Sequence, residues 1–184
     1  MRAGLRTILG FVATVALVLA GATVASAKVH YARNEALQLA FPGADRVESK
    51  NFFLTDEEQA RVEELAKAPL ESQLVTVHVG EKDGAPMGYA FIDTHIVRTL
   101  PETLLIVVAP DGSVAKLLLL AFYEPPDFEP SERWLEQFPN RKLDPAMRVD
   151  RDIHGIAGAT LTSHAVTSAV RRALALHQVL IEKK

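Results

Sequence analysis

The chain has 184 residues, a net charge of −3 at pH 7 and no cysteine, and 48% of its residues are hydrophobic. This is the length of one domain, and its core is large enough to fold without disulfides or metals. The lack of cysteine excludes disulfides, thiolate metal sites, iron–sulfur clusters and cysteine nucleophiles. The slightly negative charge argues against a nucleic-acid partner.

The first segment carries the signals of export. Arg2 and Arg6 precede an uncharged, largely apolar run over residues 7–27, which ends in Ala25-Ser26-Ala27. A positive flank, an apolar centre and a small-x-small end are typical of a secretory signal peptide, and the run is also long enough to cross a bilayer. Because the positive end stays in the cytoplasm, we expect residues 28–184 to be extracytoplasmic (periplasmic). They are either released by cleavage after Ala27 or anchored in the inner membrane by residues 7–27.

Two helices and a short strand are predicted after this segment. Helical spacing indicates a helix over residues 30–40, and a short strand follows over residues 46–50. Thr55 and Glu58 fit the capping box, in which an N-cap hydroxyl and a Glu three residues later satisfy the first N–H groups of a helix. They predict a charged second helix that continues to about Ala66.

Four strands are predicted next. From Leu74 onward apolar and polar residues alternate, which is typical of a half-buried strand. Lys82-Asp83-Gly84 and Pro110-Asp111-Gly112 have the composition of turns. Consecutive strands with tight turns favour an antiparallel sheet. The predicted strands begin at Leu74, Met87, Thr103 and Val114, and the last three end at Arg98, Ala109 and Tyr123.

Two helices complete the predicted elements. Residues 131–138 are expected to form a short helix with Trp134 and Leu135 turned toward the core. Residues 163–181 are expected to form the last helix, because apolar residues recur along one helical face. The sequence therefore predicts one α+β domain over residues 28–184, a twisted antiparallel sheet flanked by helices.

The segment directly before the last helix is the strongest candidate site. Gly158 and Ala159 allow a ligand to approach the backbone closely. The first N–H groups of a helix and its positive dipole end form an anion site, for which phosphate is a natural ligand. Alternatively, one hydroxyl, that of Thr162, caps the helix and the small residues only allow packing. The hydroxyl side chains in this segment are those of Thr160, Thr162 and Ser163.

The residues Gly158-Ala159-Thr160 resemble the flavinylation motif of FMN-binding domains, Asp-x-x-(Ser/Thr)-Gly-Ala-Thr. Such domains occur in the FMN-carrying subunits of sodium-translocating NADH:quinone oxidoreductase and Rnf-type complexes, and in small exported flavoproteins. The resemblance implies FMN as cofactor, esterified through its phosphate to Thr160 by a flavin transferase that uses FAD. It also implies phosphate contacts, through backbone N–H or hydroxyl groups, from Leu161, Thr162 and Ser163.

The resemblance covers about residues 73–181. Gly88-Tyr89-Ala90-Phe91-Ile92 resembles the glycine–aromatic strand that lies near the flavin ring in this family, which makes Tyr89 a candidate flavin contact. Glu124 precedes a proline where related domains often carry a Glu-Thr-Pro loop, and it is a further candidate.

Two positions depart from the motif. Its acidic position falls on His154 and its first hydroxyl position on Ala157, and Asp152 substitutes only if the loop shifts. These departures favour a second hypothesis, a flavin-free exported binding or accessory module that keeps the fold. A third hypothesis is a reductase with non-covalent FMN, which is disfavoured because NADH is not normally available outside the cytoplasm.

Several other residues have ordinary structural explanations. We expect His95 to be a satisfied strand residue rather than a flavin neighbour, and Arg98 to form a salt bridge on the sheet surface rather than to bind phosphate. His154 and His164 offer too few ligands for a metal site. Aromatic residues that are able to stack on a flavin, but that belong more often to a core, are Tyr89, Phe91, Tyr123 and Phe128.

The preferred hypothesis is an electron carrier outside the cytoplasmic membrane that exchanges electrons with membrane or periplasmic redox partners. In such a protein the flavin performs the redox chemistry, while the protein supplies position and electrostatics. We therefore expect no catalytic residue, and an electron carrier rather than a stand-alone enzyme.

Overall fold

A computed structural model describes residues 28–183 of the chain. They form one six-stranded antiparallel sheet with helices on both faces, the α+β architecture predicted from the sequence. The predicted export segment, residues 7–27, lies outside the described residues. Within residues 28–183, no helix combines the length and the apolar character needed to cross a membrane.

The sheet consists of two-residue strand β1 and five longer strands. Their order across the sheet is β1-β6-β5-β4-β3-β2, so each strand from β2 to β6 lies beside its neighbour in the chain. The four predicted strands and their tight turns are confirmed, and the short strand predicted over residues 46–50 extends three residues further. The strands are β1 (Lys28–Val29), β2 (Arg46–Phe53), β3 (Leu74–Lys82), β4 (Ala85–Ile96), β5 (Pro101–Val108) and β6 (Val114–Phe122).

Four helices accompany the sheet. The predicted capping box is confirmed at the second of them, where the Glu58 N–H donates to Thr55 Oγ1 and the Thr55 N–H donates to the Glu58 carboxylate, at 3.1 and 2.9 Å. A 3₁₀ turn (Pro126–Phe128) follows the sheet, and a π-helical turn (Gln178–Glu182) extends the last helix. The helices are α1 (Arg33–Ala40), α2 (Asp56–Ala66), α3 (Glu132–Leu135) and α4 (Thr160–His177).

The first helix is shorter than predicted. The prediction placed its start at residue 30, but the N–H groups of His30 and Tyr31 donate to the Leu120 carbonyl at 2.8 and 3.3 Å. These bonds hold the chain at the edge of the sheet after β1, and α1 begins only at Arg33.

The last helix begins three residues earlier than predicted. The Ser163 N–H donates to the Ala159 carbonyl at 3.1 Å, which makes Ala159 the N-cap residue and Thr160 the first residue of α4. Thr162 is therefore inside the helix and does not cap it, so the structural alternative considered for Thr162 is wrong. The backbone of this small-residue segment closes the first turn without a capping side chain.

The two faces of the sheet are covered unequally. Helices α2 and α4 pack on one face and form the large core, with side chains such as Leu104, Ile106 and Val170 fully buried. Helix α1 covers the other face, where the Phe41 ring lies directly over Gly80. A Cβ atom at Gly80 would lie 2.4 Å from that ring, so only glycine leaves room for it.

The ladder between β3 and β4 ends before either strand does. Its last pair toward the middle of β4 is His78–Ala90. Beyond it, residues 74–77 pair only with β2 and residues 91–96 only with β5. A cavity of about 550 Å³ opens between the two strands at this end of the sheet.

Candidate functional site

The loop before α4 is held in place by Trp134 of the short helix α3 and by Gln137, which follows that helix. The His154 N–H donates to Gln137 Oε1 at 2.8 Å, and the His154 carbonyl accepts from Trp134 Nε1 at 2.7 Å. The His154 residue itself is exposed, as is Ala157. The two positions that depart from the flavinylation motif are thus at the surface of a loop whose backbone is fixed.

The Ser163 hydroxyl fastens this loop to the helix. Ser163 Oγ accepts from the Ile156 N–H at 2.9 Å and donates to the Ala159 carbonyl at 3.1 Å, and the residue is fully buried. Both hydrogen-bonding roles of this hydroxyl are therefore used inside the protein. The Ser163 hydroxyl is therefore committed to the protein in this structure, and the expected phosphate contact of Ser163 stays a prediction.

Thr160 and Thr162 differ from each other in exposure and in hydrogen bonding. Thr162 is 1% exposed, and its Oγ1 donates to the Phe128 carbonyl at 2.9 Å, which ties α4 to the 3₁₀ turn. Thr160 is exposed, and its hydroxyl has no hydrogen-bond partner within residues 28–183. Of the three hydroxyls near the helix start, the Thr160 hydroxyl is the one presented to solvent.

The backbone around Thr160 offers hydrogen-bond donors to a ligand. The N–H groups of Thr160, Leu161 and Thr162 belong to the first turn of α4, and none of the described residues accepts from them. The turn before them depends on Gly158, whose φ of +81° is in the left-handed region. No atom lies within 4 Å of the position of a Cβ at Gly158, so the backbone is open to solvent there.

These groups border a cavity of about 190 Å³, which we call the Thr160 pocket. It is formed where the start of α4 meets the turn between β4 and β5 and the segment after β6. Leu161 is 53% exposed at this pocket. The lining residues are Val97, Arg98, Glu124, Phe128, Gly158, Ala159, Thr160, Leu161 and Thr162.

Glu124 holds the turn that forms one wall of the pocket. Its carboxylate is buried, and Oε1 accepts from the N–H groups of Arg98, Thr99 and Leu100 at 3.1, 2.6 and 2.8 Å. Burial by itself would raise the pKa of the Glu124 carboxyl, but these donors stabilise the ionised form and lower the pKa below its usual value. The sequence-predicted Glu124 is therefore brought to the same pocket as Thr160.

Arg98 lies in this turn rather than on the sheet. We predicted a salt bridge on the sheet surface, but β4 ends at Ile96 and Arg98 has no ion-pair partner among residues 28–183. Its guanidinium carbon is 5.8 Å from the centroid of the Phe128 ring, a cation–π arrangement. The signal that was missed is Pro101, because a proline commonly opens a strand and so marks the preceding residues as a turn.

Tyr89 is not brought to the Thr160 pocket. It lies in the first half of β4, away from the turn after Ile96, and its ring packs edge-on against His177 with centroids 5.1 Å apart. Since His177 is the last residue of α4 and Thr160 the first, about 25 Å of helix separates the two ends. Among the predicted site residues, Tyr89 stands apart from the group formed by Glu124 and residues 158–162.

His95 belongs to a buried charged cluster and is fully satisfied, as expected. Its ring nitrogens lie 2.7 Å from Asp93 and 2.7 Å from Glu102, and Arg172 donates twice to Asp93. Burial by itself would lower the pKa of His95, but the two carboxylates raise it to about 9. Burial would raise the pKa of Asp93, but His95 and Arg172 lower it to about 2. Burial raises the pKa of Glu102.

The comparison with known families agrees with the position of this pocket. Residues 100–175 match the family model of the FMN-binding domain. The matched segment contains Glu124 and the start of α4, whereas Tyr89 and Arg98 precede it. The match identifies FMN as the cofactor of this domain. No curated protein matches the chain.

The residues of the Thr160 pocket fit the phosphate end of FMN. They combine an exposed hydroxyl, three N–H groups at a helix start and an arginine that has no acidic partner among residues 28–183. All three features suit an anionic phosphate ester. Among residues 28–183, no three potential ligands come together in a way that would hold a metal ion.

Proposed function

We propose that the protein is an exported electron-transfer flavoprotein that carries FMN on Thr160 through a phosphoester bond. The observation that carries the proposal is the contrast between the exposed Thr160 hydroxyl and its buried neighbours. Thr162 and Ser163 already donate to carbonyl groups of the protein. Within residues 28–183, the Thr160 hydroxyl has no hydrogen-bond partner, and it lies beside three N–H groups that no described residue accepts from. The FMN match over residues 100–175 supports the choice of phosphate ester.

The attachment requires a flavin transferase that uses FAD. The Thr160 oxygen attacks the phosphorus on the FMN side of the FAD pyrophosphate, and the bond from that phosphorus to the bridging oxygen breaks. AMP leaves, the hydroxyl proton passes to solvent, and no electrons are transferred. The N–H groups of Thr160, Leu161 and Thr162 stabilise the phosphate in place, because the helix start favours negative charge.

The bound flavin would accept and donate one or two electrons, and the chain's own residues would hold it in position. Export explains why a covalent bond is useful, since a periplasmic protein that lost free FMN has no ready supply to replace it. The charge and apolar pattern of residues 2–27 supports export. The electron donor and acceptor are then membrane or periplasmic carriers.

The proposal is tested by intact mass and visible spectrum of the chain expressed with a flavin transferase, before and after denaturing precipitation. We expect a mass gain of FMN less water on the wild-type chain, and no covalent flavin on Thr160→Ala. Thr160→Ser should keep the flavin, because the nucleophilic oxygen is retained. Thr162→Val is the matched control, since it removes a buried hydroxyl of the same helical turn and should keep the flavin. The same mass shows whether the exported chain begins at Lys28.

Three results would decide against the ester. Denaturation-resistant flavin on Thr160→Ala would place the attachment elsewhere. Flavin that is released from the wild-type chain on denaturation would leave FMN binding but reject the covalent bond. A colourless chain under both conditions would favour the flavin-free accessory module.

A further inference from the structure

One end of the sheet carries most of the exposed large hydrophobic side chains. Six of the eight such side chains within residues 28–183 lie at the end where β4 turns into β5, and we call these six the apolar rim. Apolar side chains that gather at one part of a protein surface mark an interaction site. Phe53 is 75% exposed and Ile96 is 58% exposed. The apolar rim consists of Val29, Phe53, Leu74, Ile96, Leu100 and Leu161.

The strand register places the apolar rim at a single end of the domain. Phe53 and Leu74 form the last pair between β2 and β3, and Ile96 belongs to the last pair between β4 and β5. Because β3 and β4 are antiparallel, the start of β3 and the end of β4 lie at the same end of the sheet. Val29 belongs to β1, which pairs with the last two residues of β6. Leu161 lines the Thr160 pocket, which the turn after β4 also borders.

The opposite end of the sheet has a charged surface. There Arg46 of β2 forms an ion pair of 2.8 Å with Glu81 of β3, and the turn from β3 to β4 contains Lys82 and Asp83. The apolar rim is itself flanked by charges of both signs, among them Arg98. Apolar contact, and not net charge, is therefore what distinguishes the rim from the opposite end.

The chain enters the domain at the apolar rim. Lys28, the first described residue, lies opposite Phe122, and β1 runs from there away from this end. The uncharged run over residues 7–27 comes immediately before Lys28, so no residue is left for a linker. A run of this length is able to cross a bilayer. If the run is retained, the point at which it leaves the bilayer coincides with the apolar rim.

We propose that residues 7–27 are retained as a membrane anchor and that the apolar rim lies against the lipid at the membrane surface. The rim side chains then leave water for the boundary between headgroups and acyl chains, where apolar side chains are favoured. A lipid surface is preferred to a protein partner, because the position of Lys28 brings the rim to the bilayer without any other protein.

This inference goes beyond the proposed function, because the contact of the rim with lipid does not require a flavin. It has one consequence for a flavin that is attached to Thr160. Since Leu161 follows Thr160 and belongs to the rim, that flavin would lie next to the membrane surface, within reach of membrane-bound carriers.

The lack of cysteine makes a residue-by-residue test direct, because each single-cysteine variant takes one nitroxide spin label. The full chain is purified from the membranes of a bacterial host and placed in vesicles of phosphatidylethanolamine and phosphatidylglycerol. Relaxation of each label is measured with oxygen, which concentrates in lipid, and with a water-soluble nickel chelate. We expect the ratio of oxygen to nickel relaxation to be several-fold higher for Phe53→Cys and Ile96→Cys than for Val47→Cys. Val47 is the matched control, an exposed apolar residue of the same strand as Phe53 and about 20 Å nearer the charged end.

Three results would overturn the proposal. Rim labels that are as accessible to the nickel chelate as the control label would place the rim in water. Rim labels that are shielded from both reagents would place the rim against protein, either a second copy of this chain or another partner. A mature chain whose mass begins at Lys28 would show that residues 7–27 are not retained. Thr160→Ala should leave the pattern of accessibility unchanged, so the rim and the ester are tested separately.

Discussion

Hydrogen bonding divides the hydroxyl side chains at the start of α4 into two that build the site and one that is offered to a ligand. Ser163 joins the loop at Ile156 to the first helical turn, and Thr162 joins that turn to Phe128. Both side chains are at most 1% exposed. Their effect on flavin binding should therefore pass through the shape of the loop and not through direct contact.

Replacing Ser163 by alanine tests whether its side chain acts through the shape of the loop or through direct contact with the flavin. Ser163→Ala leaves the Ile156 N–H without its acceptor, so we expect the free energy of unfolding to fall by about 1–2 kcal/mol in urea denaturation. The affinity of the folded protein for FMN should change less than twofold. Ser168→Ala on the same helix is the control, because Ser168 makes no side-chain hydrogen bond within residues 28–183. A variant of unchanged stability that no longer binds FMN would contradict this role.

The sequence indicated this candidate site because the chemistry that suggests it is local. Gly158-Ala159-Thr160 and the helix after it lie within a few residues of one another, so residue types and spacing are enough to indicate an anion site. The wall formed by Arg98 and Glu124 was harder to predict, because 26 residues separate the two and only the paired strands β5 and β6 bring them together. The residues next to a turn residue in the sequence do not show whether its side chain lies on an open surface or lines a pocket.

At the scale of elements, helix α4 holds the end of helix α2 through one buried arginine. Arg171 is 5% exposed, and its guanidinium donates to the carbonyls of Leu65 and Ala66, the last residues of α2, at 2.8 and 2.6 Å. The same group donates to the carbonyls of Asp144 and Met147. The last turn of α2 has no basic residue of its own, so Arg171 supplies the donors and positive charge that a helix end favours.

Removing this guanidinium should destabilise the whole domain. Arg171→Met keeps the apolar stem but removes the guanidinium donor from four carbonyl groups, of which only that of Asp144 keeps another donor, the Met147 N–H. We expect a loss of about 3 kcal/mol in the free energy of unfolding. Thermal and urea denaturation would measure it. Arg133→Met, at an exposed position of α3, is the matched control and should change stability by less than about 0.5 kcal/mol. Equal stabilities of the two variants would contradict the role of Arg171.

The elements themselves were mostly predictable, and the errors lie at their ends. Thr55 and Glu58 identified the start of α2 because the capping box is a contact between residues three apart. The start of α1 was wrong, because it depends on Leu120, which is ninety residues away from His30. The position of Arg171 in the helix sequence gave no indication that it would be buried, since its partners lie more than twenty residues away.

At the scale of the whole molecule, the charged cluster between the sheet and α4 makes stability depend on pH. The cluster joins β4, β5 and α4 through Asp93, His95, Glu102 and Arg172. His95 has its pKa raised to about 9 from an ordinary value of 6.5. The contribution of protonated His95 to the free energy of unfolding is therefore complete below about pH 6.5 and is lost as the pH rises through about 9. Above that range His95 is neutral, and its positive charge no longer offsets the buried carboxylates of Asp93 and Glu102.

We expect the free energy of unfolding to fall by about 2 kcal/mol between pH 6.5 and pH 9.5, measured by urea denaturation at constant ionic strength. His95→Gln keeps a polar side chain that does not titrate, so it should be less stable than wild type at pH 6.5 and nearly independent of pH over this range. His154→Gln, at an exposed position, is the control and should follow the wild-type curve. A wild-type curve that rises toward pH 9.5 would contradict the assignment.

The β3–β4 ladder ends early, and this affects which parts of the sheet can accept amino-acid substitutions. The early end divides the sheet into a pair, β2 and β3, and a larger group that runs from β4 to β1, and all residues of the Thr160 pocket belong to the larger group and its attached segments. The pair is joined to the rest by five ladder pairs at one end of β3 and β4 and by α2 packing on α4. No residue of β2 or β3 lines the Thr160 pocket, although β3 contributes Val77 and Val79 to the main core. We therefore expect the solvent-exposed positions of β2 to be where the sequence of this domain can diverge without altering flavin binding.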